Sequence, residues 1–165
     1  IAQASIAGAS KIIAVGMKAD RKRREKIARK YGADEFFASD EEENIVEKVK
    51  EAAREDGVAL VVDAAGVPAL TSAAIQIVRS EGSIVRIGMS NKTYEDSLDG
   101  FSLKNIRFSG HMGYNQESWR NTLALAKAEK LNLKPIITCI LPLEEYQQGF
   151  DMTKNQEASK VVLVP

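Results

Sequence analysis

The sequence predicts an α/β protein built on a doubly wound parallel sheet. Short apolar runs alternate along the chain with amphipathic stretches of helical period, and the connections between them are short. The strongest run, Val58-Ala59-Leu60-Val61-Val62-Asp63, is bounded by Gly57 on one side and by a glycine-containing turn on the other. At 165 residues the chain has the length of one ordinary domain, and 44% hydrophobic with 28% charged residues supplies both a core and a charged exterior.

The elements follow in order. Residues 1–7 place Ile1 and Ala4 on one helical face with Ala2 and Ile6 beside them, and Gly8 is a C-terminal stop, so the chain opens on the tail of a helix. Lys11-Ile12-Ile13-Ala14-Val15-Gly16 has the pattern of a strand covered on both faces. A helix over 20–31 ends at Gly32, and Glu35-Phe36-Phe37-Ala38 is a brief strand. Asp40 and Glu43 have capping-box spacing ahead of a helix whose face is Ile45, Val46, Val49, Ala52 and Ala53 and which closes at Gly57. After the strand over 58–63, Pro68 sits at a first helical turn, where its missing N–H costs nothing, and Leu70, Ala73, Ala74, Ile77 and Val78 form that helix's buried face. A strand over 83–88 and a polar loop through Gly100 come next. Residues 105–110 read as a less apolar strand suited to a sheet edge, and 116–130 as a helix with Trp119, Leu123 and Ala126 at helical spacing. Beyond Pro135 the style changes to a strand over 136–141, a short helix over 143–153 and a final strand over 161–164.

Composition excludes several functions. No apolar stretch approaches the ~20 residues of a membrane span. Cys139 is the one cysteine, so no internal disulfide forms, which places the protein in a reducing, cytoplasmic setting. The 23 basic and 23 acidic residues cancel, leaving no global field for nucleic acid or an anionic membrane. Locally, residues 18–30 hold eight Lys or Arg against Asp20 and Glu25, but residues 34–47 hold seven acids and no base, and no aromatic is interleaved to stack on bases. His111 and Cys139 have no metal-ligand spacing, and neither a P-loop nor a nucleophile elbow occurs. No catalytic or metal-binding residue is therefore assigned.

Parallel sheets place ligands at the carboxyl ends of their strands. Residues 16–21, 63–66 and 87–90 are thus the candidates, and Gly66 and Gly88 let backbone approach a flat ligand closely. In dinucleotide-binding folds an acid at the first of these ends binds the adenosine ribose, whereas a small residue beside bases admits a 2′-phosphate. Gly16 followed by Lys18 and Arg21 leans towards NADP over NAD.

The segments Ala7-Gly8-Ala9-Ser10-Lys11-Ile12-Ile13-Ala14-Val15, Tyr31-Gly32-Ala33-Asp34, Val61-Val62-Asp63-Ala64-Ala65-Gly66, Gly82-Ser83-Ile84-Val85-Arg86-Ile87-Gly88, Leu141-Pro142-Leu143-Glu144-Glu145 and Lys160-Val161-Val162-Leu163-Val164-Pro165 together resemble the C-terminal half of zinc-dependent medium-chain alcohol dehydrogenases. The resemblance runs the whole length and is nearest the sorbitol (iditol) and threonine dehydrogenase branch. It implies a Rossmann-type sheet that lacks its first strand and Gly-rich loop, an incomplete dinucleotide-binding domain over 1–134, and a tail over 135–165 that returns to a catalytic domain. It implies an NAD(P) site in which Gly16 sets coenzyme choice, Ala65, Gly66, Ile87, Gly88 and Met89 pack on the coenzyme, and Lys160 reaches the pyrophosphate. It also implies a homo-oligomer joined through an edge strand within 105–113, with His111, Met112 and Gly113 near the nicotinamide.

Zinc, the proton relay and most of the substrate pocket belong to the N-terminal half of that family. The expected function is accordingly the coenzyme-binding part of an NAD(P) oxidoreductase acting on a polyol or other secondary alcohol, inactive as this chain alone. Strands flanking an absent first strand are expected to lose a hydrogen-bonding neighbour. A non-catalytic nucleotide-sensing or assembly module on the same sheet is the alternative, and a methyltransferase-like domain is disfavoured by the pattern after Pro135.

Overall fold

The computed structural model describes residues 1–53 and 56–165. In chain order the elements are α1 (Ala2–Ile6), β1 (Ile13–Gly16), a 3-10 turn (Lys18–Lys22), α2 (Arg24–Lys30), β2 (Glu35–Ala38), α3 (Ile45–Ala53), β3 (Val58–Asp63), α4 (Pro68–Ile77), β4 (Val78–Arg86), α5 (Asp99–Leu103), β5 (Arg107–Gly110), α6 (Gln116–Lys127), β6 (Cys139–Pro142), α7 (Tyr146–Lys154) and β7 (Val161–Val164). Short 3-10 turns precede β6 and α7. The backbone gathers into two compact units, one of Ile1–Ala38 with Asn115–Pro165 and one of Ser39–Tyr114.

Every strand pair is parallel, as the alternation of strand and helix requires. In the first unit β1 pairs with β2 and β6 pairs with β7; in the second the order is β3-β4-β5. No ladder joins these three sheets, so β1 and β3 each have one strand partner among the described residues, and β5 lies at a sheet edge as its weaker pattern predicts. Val15 stays 44% exposed, so β1 is not covered on both faces by the described residues as its apolar run predicts, and in β3 Leu60 and Val62 stay 51% and 54% exposed.

The second unit is built around Ala74, Ile75, Val78 and Ile84, with Val61, Tyr94, Phe101 and Ile106 packed against them. Phe101 also meets Phe108 edge to face at 5.3 Å, a favoured aromatic geometry. Here two expectations change. Val78 is not on the helix face but opens β4, pairing with Val58, because α4 stops at Ile77 and the backbone turns extended at once. Residues 99–103 are helical rather than loop, since Phe101 anchors that turn to the core.

The α3 helix begins at Ile45, where Asn44 Oδ1 accepts the Glu47 amide at 3.3 Å, so the acids of residues 40–43 precede the helix rather than cap it. Its expected close is at Gly57, and residues 54 and 55 just before it lie outside the described residues. The predicted helix over 20–31 divides into the 3-10 turn and α2 at Arg23, and the strand predicted over 136–141 starts only at Cys139.

The end of α4 depends on one cation. Lys104 Nζ donates to the carbonyls of Ile75, Gln76 and Val78 at 2.8, 3.0 and 2.9 Å, satisfying acceptors that a helix C-terminus leaves open. Burial, and secondarily the ammonium of Lys50, lowers its pKa below the usual lysine value. Lys104→Met keeps the aliphatic stem and strands the three carbonyls, so urea unfolding should show a loss of about 1–3 kcal/mol; an unchanged midpoint would refute this role.

Candidate functional site

In the second unit the strand ends meet around Asp63, the last residue of β3 and 6% exposed. Its carbonyl accepts the amides of Ile87 and Gly88 at 2.9 and 3.0 Å. Its carboxylate Oδ1 accepts those of Gly66 and Ala65 at 2.8 and 3.1 Å, an Asx-type turn, and Oδ2 takes the Thr71 hydroxyl at 3.4 Å. The loops after β3 and β4 are thus fastened to one residue.

Those loops touch backbone to backbone. Gly66 has φ +70°, and a Cβ there would overlap the Gly88 carbonyl and the Met89 amide, while a Cβ on Gly88 would overlap the backbone of Ala64 and Ala65. Arg86, the last residue of β4, donates to the Gly66 carbonyl, to Thr71 Oγ1 at 3.3 Å and to the Gly88 carbonyl at 3.4 Å. Ser90 Oγ adds a bond to the Gly66 carbonyl at 2.7 Å. The product is a thin backbone platform at the carboxyl ends of a parallel sheet, beside the half-exposed Ile87 and the exposed Met89. The His111 amide bonds the Arg86 carbonyl at 3.0 Å, bringing the start of the 111–113 segment to the same strand end.

In the first unit β1 ends at Gly16, and the 3-10 turn folds Asp20 back towards it. Asp20 Oδ2 accepts the Met17 amide at 2.9 Å, and Oδ1 pairs with Arg24 Nη1 at 2.9 Å. Arg21 pairs with Glu25 at 3.3 Å and lies 5.7 Å over the Phe36 ring, a cation–π arrangement. Lys160, just before β7, lines an open cleft of about 340 Å³ with Arg24, Tyr31, Ile136 and Ser159, whose buried hydroxyl has no partner among the described residues.

The expected residues therefore fall into three places. Ala65, Gly66, Ile87, Gly88 and Met89 share the platform of the second unit; Gly16, Lys18 and Arg21 share the end of β1; Lys160 stands in the cleft, linked to the β1 end through Arg24. Three contributors went unread in sequence. Asp20 stood in a run of bases, although it lies three residues after Met17, at turn-capping spacing. Arg86 and Thr71 carried weaker signals, the former as a lone charge in an otherwise apolar strand end. Among the described residues no group of three or more His, Cys, Asp or Glu can hold a metal ion, and no helix is long and apolar enough to cross a membrane.

Comparison with known proteins agrees with this geometry. Residues 1–128 match the family described as zinc-binding dehydrogenase. The chain is 30% identical, over 99% of its length and 45% of the relative's, to the uncharacterized zinc-type alcohol dehydrogenase-like protein YdjL of Escherichia coli. It is 29% identical to the L-threonine 3-dehydrogenase of Bacillus velezensis, over all of this chain and 47% of that one. Among solved structures, alcohol dehydrogenase TADH from Thermus sp. ATN1 superposes with a TM-score of 0.88 at 29% identity, covering 99% of this chain and 46% of that one. The chain thus spans about half the length of the curated relatives it matches. By its sequence and its parallel α/β fold, the chain belongs to the zinc-binding dehydrogenase family.

Proposed function

We propose that the chain is the coenzyme-binding half of a cytoplasmic, zinc-dependent NAD(P) oxidoreductase acting on a polyol or other secondary alcohol. The observation that carries this reading is the Gly66–Gly88 crossing, where the loops after β3 and β4 meet backbone to backbone at the carboxyl ends of a parallel sheet, the place where such sheets take a ligand. Relatives named L-threonine 3-dehydrogenase and sorbitol dehydrogenase support the substrate class.

A bound nicotinamide accepts or returns the hydride. The chain's own part is to hold it. Ala65, Gly66, Ile87, Gly88 and Met89 form the floor, which Asp63 and Arg86 keep in place from beneath. The end of β1, with Gly16, Lys18 and Arg21, receives the adenosine ribose, and Lys160 offers a cation to the pyrophosphate. The sequence lean to NADP rests on Lys18 and Arg21. Among the described residues no group of three or more His, Cys, Asp or Glu can hold zinc, so this chain alone should turn over no alcohol.

Residues 135–165 are read as the tail returning to a catalytic domain, which the exclusive pairing of β6 with β7 supports. The position of β5 at a sheet edge supports oligomerisation through 105–113. Sedimentation should then find a dimer or larger species that Ser109→Pro, which removes a strand amide, dissociates; a monomer at tens of micromolar, roughly the range where specific dimers persist, contradicts that interface.

Fluorescence titration with NADH tests the platform itself. Saturable enhancement is expected, and Gly66→Ala should weaken it by about tenfold or more, because the added Cβ must push the Gly88 backbone away. Equal affinity in a folded Gly66→Ala variant would remove the crossing from the binding site.

A further inference from the structure

The space that a side chain on Gly16 would enter is already filled. A Cβ on Gly16 would lie 2.9 Å from Asp20 Oδ2 and 2.9 Å from the edge of the Phe36 ring. The carboxylate is held there at both oxygens, by the Met17 amide and by Arg24, and its side chain is only 13% exposed. We propose that Asp20, folded back by the 3-10 turn Lys18–Lys22, supplies the strand-end carboxylate that position 16 lacks. The site then selects a coenzyme with a free adenosine ribose diol over one carrying a 2′-phosphate. This rests on the reading of the β1 end as the adenosine site.

The chemistry favours a diol. A carboxylate oxygen has two lone pairs, so Oδ2 retains capacity for a ribose hydroxyl after accepting the Met17 amide. A 2′-phosphate would instead bring up to about two negative charges beside a carboxylate whose charge Arg24 offsets only once, and as a dianion it has no hydrogen to donate to Oδ2 as a ribose hydroxyl does. Two of the bases that follow Gly16 are paired with acids. Arg21 pairs with Glu25 and lies over Phe36, and Arg24 pairs with Asp20 itself.

The nucleotides 5′-AMP and 2′,5′-ADP differ by the single 2′-phosphate and probe the adenosine end alone. Titrated into the ¹⁵N-labelled chain, 5′-AMP should shift the amides of residues 16–21 with about tenfold higher affinity than 2′,5′-ADP. Asp20→Asn, which keeps the shape and an acceptor for Met17, should remove most of that difference, while Lys18→Ala should leave it. The wild-type ratio decides even if the variant does not fold: 2′,5′-ADP binding as tightly as 5′-AMP, or more tightly, overturns the assignment. A ratio unchanged in folded Asp20→Asn overturns it as well. No shift at these amides with either nucleotide overturns both this assignment and the adenosine reading beneath it.

Discussion

Asp63 is the constraint on which the functional end of the second unit depends. One buried residue accepts four backbone amides from two loops and a hydroxyl from a third element. Bonds to the charged carboxylate, which takes two of those amides, are worth about 1.5–3 kcal/mol each, and a buried amide left without a partner costs a comparable amount. Loops so fastened behave as extensions of β3 and β4 rather than as mobile connections. The rigidity comes from the strand end and is passed outward.

That rigidity makes the glycine crossing meaningful. Two backbones in direct contact leave no room for adjustment, so Gly66 and Gly88 define one surface whose position Asp63 and Arg86 set from below. The first unit uses the same device at smaller scale. A carboxylate takes the Met17 amide after β1 ends, and an arginine holds the other oxygen. In both places an acid at or just past the end of a parallel strand organises the backbone that follows.

Much of this was legible in the sequence, and the failures have physical causes. The strands at 35–38, 58–63 and 161–164 read true to the residue because each is a dense β-forming run between breakers. Gly66 and Gly88 were legible as glycines where strands stop, but the backbone each approaches is the other's loop, a contact between segments that neither local pattern shows. Val78 was misread because its helical spacing continues past the point where Lys104 ends α4, a cap supplied from 26 residues away. The turn at Phe101 is held by the core and carries no strong helical signal of its own. Asp20 and Arg86 were hidden for one reason: their roles lie in which backbone atoms the fold brings near them, and composition reads them only as charges.

Amide hydrogen exchange at Ala65, Gly66, Ile87 and Gly88 tests the organising role of Asp63 most directly. All four lie outside regular strands, yet each donates to that residue. They should exchange as slowly as the interior amides of β4, and together, since one buried residue holds them. Exchange at the rate of the open segment 91–97 would contradict the account, because the platform would then be a loop and not an extension of the sheet.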